Sequence, residues 1–247
     1  MLIIGLDAAA QYNKFGYAIG NINAGRVELK SSGILRSEAA IDRLIVPCLE
    51  QSQPCVIAVD APLGWPKAMP TSLSTHLAGQ AVETTAHEMF RRYTDNHVRS
   101  TYAGAQPLDV GADRIARASW RALHVLQFLR RRLNRSIPLA WRNENINDTV
   151  AIEVYPAATL RARNLYSKGY GKPDAVEVRE RIAVAVSQEL PWLPDKVRVP
   201  CHEFDAAICL LAAFDFLLGR AIAPPVGQAG AVAQEGWIWV KAPVPTQ

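Results

Sequence analysis

Residues 2–6, Leu-Ile-Ile-Gly-Leu, form an unbroken apolar run that ends in Asp7. A run this short and continuous suits a central strand covered on both faces. Residues 56–59 repeat the pattern and end in Asp60, and residues 150–154 repeat it with Glu153 near the end and Pro156 directly behind. Phe15, Tyr17 and Ile19 alternate with Gly16 and Ala18, which predicts a second strand. The turn residues Asn21 to Gly25 separate it from a third over 26–35. Short connections between the first three strands argue for an antiparallel meander.

Helical spacing of Ile41, Leu44, Ile45 and Leu49 predicts a helix over 39–51 that Pro47 kinks or ends. Pro62, Gly64 and Pro66 mark a loop after the run at 56–59. Residues 71–112 are the least patterned, with a polar helix candidate over 82–92 and a Gly/Pro-rich loop over 103–111. Residues 113–133 read as a long amphipathic helix, 175–190 as another, and 203–218 as an apolar helix that needs burial almost all round. Residues 236–240, Gly-Trp-Ile-Trp-Val, suggest a short edge strand before a Pro-rich tail.

Composition narrows this to one α/β unit. The chain has 247 residues, 49% of them hydrophobic, enough for one sizeable core. A single domain over 1–247 is expected, with a helical and loop insertion around 66–149. The net charge of +4 permits a polyanionic partner without requiring one. Cys48, Cys55, Cys201 and Cys209 form no C-x-x-C pair and have apolar neighbours, which predicts inert thiols in a reducing compartment. No basic leader precedes the first apolar run, and the longest apolar stretch, 206–218, is interrupted by Asp215. The expectation is a soluble, cytoplasmic protein with no membrane partner.

The chemistry lies in the acids. Asp7, Asp60 and Glu153 each stand at or near the end of an apolar strand, and Asp205 stands near the start of an apolar helix. Desolvating a carboxylate costs several kcal/mol, so acids at such places need partners. One such acid is explained by turn chemistry, and Asp205 by the dipole of a helix start. Several together point to the crevice at the C-terminal strand ends of an α/β sheet, where ligands bind. Clustered carboxylates select Mg²⁺ or Mn²⁺. Two such ions about 3.5–4 Å apart would serve phosphodiester cleavage.

The order Gly-Leu-Asp7, Val-Asp60-Ala-Pro-Leu-Gly, Arg91-Arg92-x-x-Asp95, Glu153-Val-Tyr-Pro156, Asp205-Ala-Ala and Glu235-Gly-Trp-Ile resembles a bacterial and archaeal domain-of-unknown-function family. That family is described as predicted nucleases with an RNase H-like fold. The resemblance covers residues 2 to 240. It implies a five-stranded mixed sheet whose first three strands are antiparallel, flanked by helices. It also implies that Asp7, Asp60, Glu153 and Asp205 are both the catalytic and the metal-binding acids, and that DNA or RNA is the partner.

Arg91, Arg92 and Asp95 read either as a solvated helix face or as a phosphate clamp beside the acids. Lys168 and Lys172, interleaved with Tyr166 and Tyr170, form a loop that could touch a nucleic-acid strand. Among the histidines, His202 lies nearest the acids, with a surface or capping role as its plainer reading. The six tryptophans are expected in the core or at its edge. No G-x-S-x-G or P-loop occurs. The leading function is metal-dependent nucleic-acid hydrolysis. The alternatives are an ATP-dependent phosphotransferase of the sugar-kinase and actin type, and a non-catalytic RNase H-like binding module.

Overall fold

The computed structural model describes residues 1–51, 54–165 and 168–243. Tyr166 and the last four residues of the tail lie outside the described residues. The strands are β1 (Leu2–Asp7), β2 (Gly16–Asn23), β3 (Arg26–Ile34), β4 (Cys55–Asp60) and β5 (Thr149–Glu153). They form one sheet in the order β3-β2-β1-β4-β5. β2 runs antiparallel to both β1 and β3, and β1, β4 and β5 run parallel. This is the five-stranded mixed sheet, its first three strands an antiparallel meander, that the resemblance implied.

The helices, in chain order, are α1 (Glu38–Leu44), α2 (Val46–Gln51), α3 (Ala68–Leu73), α4 (Ala86–Phe90), α5 (Tyr93–Thr101), α6 (Asp113–Leu133), α7 (Pro156–Arg161), α8 (Val176–Ala185), α9 (Cys201–Leu217) and α10 (Ala229–Glu235). α3 to α6 occupy the connection between β4 and β5.

Strand alternation sends β1 and β4 side chains to two cores. Ile3, Val56 and Ala58 face α9, packing with Phe204, Leu210, Leu211 and Phe214. Leu2, Ile4, Leu6, Ile57 and Val59 face the opposite layer, where Ile41 and Ile45, Leu49 of α2, and Val125, Leu126 and Leu129 of α6 cover them. Each such large side chain, fully buried, contributes about 1.5–3 kcal/mol. α9 is buried on nearly every side, as its composition required. It lies hard against the sheet because β1 and β2 carry glycines beneath it. A Cβ at Gly5 would collide with the Ala206 carbonyl oxygen, and one at Gly16 with that of His202.

Several boundaries differ from the sequence reading. The helix expected over 39–51 is two helices broken at Ile45, because Pro47 cannot donate to the carbonyl of Arg43 and crowds it. The helix expected over 82–92 shrinks to α4, whose start is fixed by the reciprocal Thr85–Glu88 capping box. The expected edge strand over 236–240 reduces to isolated bridges, Glu153 with Ile238 and Ala221 with Lys241. No helix among the described residues is long and apolar enough to cross a membrane.

Candidate active site

Asp7 and Asp60 end adjacent parallel strands and are register partners, so their backbones stand about 4.8 Å apart and their side chains leave the same face. That face is the one α9 covers. The close seating of α9 over Gly5 and Gly16 lowers Asp205 and His202 onto the strand ends. Asp205 lies in the second turn of α9, since the helix starts at Cys201. The dipole effect fades within the first turn, so helix capping does not account for Asp205.

The three carboxylates act on one another. Burial raises Asp7 well above the usual carboxylate range, and Asp205 raises it further. Burial does the same to Asp60, helped by Asp7 and Asp205 and then Glu153. Asp205 rises to about 6, driven by burial and opposed by the Tyr170 hydroxyl, His202 and Arg179. Among the described residues, no Lys or Arg is ion-paired with any of the three.

Their partners are aromatic. His202 Nδ1 lies 2.5 Å from Asp7 Oδ2, and the Tyr170 hydroxyl donates to Asp205 Oδ1. Burial lowers the His202 pKa, with Asp205 opposing. Both members of the Asp7–His202 contact therefore lean toward their neutral forms.

Glu153 departs from the expected set. It is the register partner of Val59, not of Asp60, so alternation sends its side chain to the opposite face. There Arg92 bridges Oε1 at 2.7 Å and Oε2 at 2.9 Å, and the Leu63 amide donates to Oε2 at 2.9 Å. Arg92, 1% exposed, also donates to both oxygens of Asp95 and to the Glu235 carbonyl. Those bonds occupy every N–H of the guanidinium. The expected phosphate clamp at Arg92 and Asp95 is therefore an internal lock, with no donor left for a ligand. The Glu235 carboxylate extends the lock by accepting from the Lys67 and Tyr93 amides. Arg91 is half-buried and pairs with Asp109 at 2.7 Å. Lys168 is exposed, two residues before the buried Tyr170 that reaches Asp205.

A cleft of about 930 Å³ opens beside the acids, lined by Ala8, directly after Asp7, and by His202. Its cations are Lys14, Arg114, Arg117 and Arg121, against one carboxylate, Asp113. Trp120 also lines it and is 57% exposed, which corrects the expectation of six core or edge tryptophans. The sequence carried a signal for it. Trp120 falls on the polar stripe of α6 with Arg117 and His124, away from Ala122, Leu126 and Leu129 on the apolar one.

The all-oxygen donor set and the mutual repulsion of Asp7, Asp60 and Asp205 fit a hard divalent cation. Among the described residues, no three acidic, histidine or cysteine side chains close around a common point.

Comparison with known proteins gives a family match. The profile of a family described as "Protein of unknown function (DUF429)" matches residues 5–228. No curated protein matches the chain. Among solved structures the chain is similar to T. thermophilus RuvC in complex with Holliday junction substrate, at 13% identity and a TM-score of 0.43, covering 89% of this chain and 97% of that one.

Proposed function

The chain belongs to the DUF429 family, whose members share no assigned function, and from its own site we propose that it is a divalent-cation-dependent phosphodiester hydrolase acting on nucleic acid. One observation carries this reading. The buried Asp7 and the half-buried Asp60 sit side by side at the ends of adjacent strands, the half-buried Asp205 acts on both, and no Lys or Arg among the described residues is ion-paired to any of the three. A cluster left without a basic partner is one that a cation or a proton would neutralise.

Asp7, Asp60 and Asp205 would hold Mg²⁺ or Mn²⁺. When bound, the ion supplies charge neutralisation at a phosphate and lowers the pKa of water. The protein's own groups do the positioning. His202 fixes the orientation of the Asp7 carboxylate and Tyr170 that of Asp205. α9 shields the cluster from bulk water, leaving Asp7 7% exposed. The cations of the neighbouring cleft raise the local concentration of a polyanion. Glu153 is left out of the ligand set, because Arg92 and the Leu63 amide already hold it.

The test is cleavage of single-stranded, duplex and branched DNA and of RNA:DNA hybrids, with Mg²⁺ or Mn²⁺ and with EDTA. Asp7→Asn is expected to lower the rate at least about 100-fold, since the site is asked for several kcal/mol of charge stabilisation. Cleavage that survives Asp7→Asn, or that continues in EDTA, would overturn the assignment.

A further inference from the structure

The acids account for hydrolysis but not for what is brought to them. The cleft beside them has a composition of its own. Four cations face one carboxylate, and Asp113 is engaged by Arg117 at 2.8 Å. Its volume of about 930 Å³ lies within the roughly 300–1,000 Å³ of ligand clefts. An indole in such a place is unusual, because an exposed tryptophan on a helix loses the burial that favours it.

Trp120 is also held in place. The His124 ring stacks on it, centroids 5.2 Å apart and planes 12° apart. Arg121 spans from the Tyr12 ring, 4.4 Å from its centroid, to the Trp120 ring at 5.1 Å. A fixed, half-open aromatic ring among phosphate-binding cations is the combination that binds bases and backbone together.

We propose that this cleft binds an unpaired stretch of polynucleotide, a base stacking on Trp120 and the phosphates running along Lys14, Arg114 and Arg117 toward Asp7. The proposal deepens the hydrolase reading and rests on it for direction, since the strand is led to the acids through Ala8 and His202. An unpaired strand is specified because the base faces of a duplex are already covered by their neighbours. Both DNA and RNA strands offer this chemistry.

The test is anisotropy of labelled oligothymidylate and oligouridylate, with a duplex of equal length as comparator, all in EDTA so that nothing is cleaved. The full chain is expected to bind a single strand more tightly than the duplex, and the two single-strand arms show which sugar is preferred. Trp120→Ala weakens that binding about 5- to 100-fold, while Trp120→Phe, which keeps a stacking face, retains most of it. Arg114→Gln with Arg117→Gln lowers the salt slope by about 1.4. Binding unchanged in Trp120→Ala, equal binding to duplex, or no binding by the full chain would each overturn the proposal. Trp120-dependent binding without cleavage in Mg²⁺ or Mn²⁺ sinks the hydrolase reading while the cleft stands. Cleavage with Trp120-independent binding sinks the cleft alone.

Discussion

Two groups of acids, one buried and one partly so, stand at the same end of the sheet, on opposite faces. On one face Glu153 and Asp95 close around Arg92, and the Glu235 carbonyl takes the remaining guanidinium hydrogen. Burial works against the charge on Arg92, but Glu153 and Asp95 outweigh it and hold the guanidinium ionised. On the other face Asp7, Asp60 and Asp205 meet one another, a neutral-leaning histidine and a tyrosine. The first group is complete without a ligand. It joins β5 to the start of α5 and to the end of α10, elements distant in sequence. The second is incomplete in the same sense, and its acids are pushed toward the protonated form. An acid at a strand end marks a candidate site, and the presence or absence of an internal arginine decides whether that site is a structural lock or a place for a cation.

Removing the arginine should break the comparison most severely. Arg92→Leu leaves Glu153 and Asp95 buried without a countercharge, and a loss of about 3–5 kcal/mol is expected in chemical denaturation. A loss below about 1 kcal/mol would mean that the lock is not what holds those elements together.

The pH response should sharpen it next. Asp205 at about 6 lies some two units above its ordinary value. The folded protein therefore binds more protons than the unfolded chain between pH 4 and 6. Metal-free stability is fully present below about pH 4 for this group and falls as pH rises through 6, by on the order of 3 kcal/mol. Asp7 and Asp60, raised in the same direction, carry the fall further. Thermal unfolding at a series of pH values in EDTA, and again with Mg²⁺, checks this. A metal-free protein that gains stability from pH 5 to pH 8 would contradict the uncompensated cluster.

The smallest effect separates the two groups by single substitutions of one kind. Asp60→Asn removes a repelled charge, so metal-free stability should stay level or rise by about 1–2 kcal/mol. Glu153→Gln removes one that Arg92 needs and should lower it. Equal losses in both would show that the two groups are alike, and that neither is poised for a cation.

Much of the scaffold was legible in the chain. The three apolar runs became β1, β4 and β5, the meander became β2 and β3, and the spacing over 113–133 gave the bounds of α6. The reason is local: unbroken apolar runs and 3.6-residue spacing report how each segment must be buried. Glu153 shows where that reading ended. Along the chain it is the same kind of acid as Asp60, at the end of the same kind of run. A one-residue difference in register, Val59 and not Asp60 opposite Glu153, moves it to the other face.

His202, Tyr170 and Trp120 likewise took other places than those read from the chain: a partner of Asp7 and not a surface or capping histidine, a donor to Asp205 and not a nucleic-acid contact, and an exposed ring and not a core or edge one. Tyr170 and His202 gain theirs only because α9 seats against Gly5 and Gly16. Trp120 gains its own because α6 borders the loop after β1. The sequence by itself determined the strands, the layers and the acids that end them, since burial of each segment is written in its own residues. Only the tertiary structure decided which acids share a face, which one an arginine neutralises, and which surface opens beside them. Those outcomes depend on register and on helix seating between residues as far apart as Asp7 and Asp205, where no local pattern carries the information.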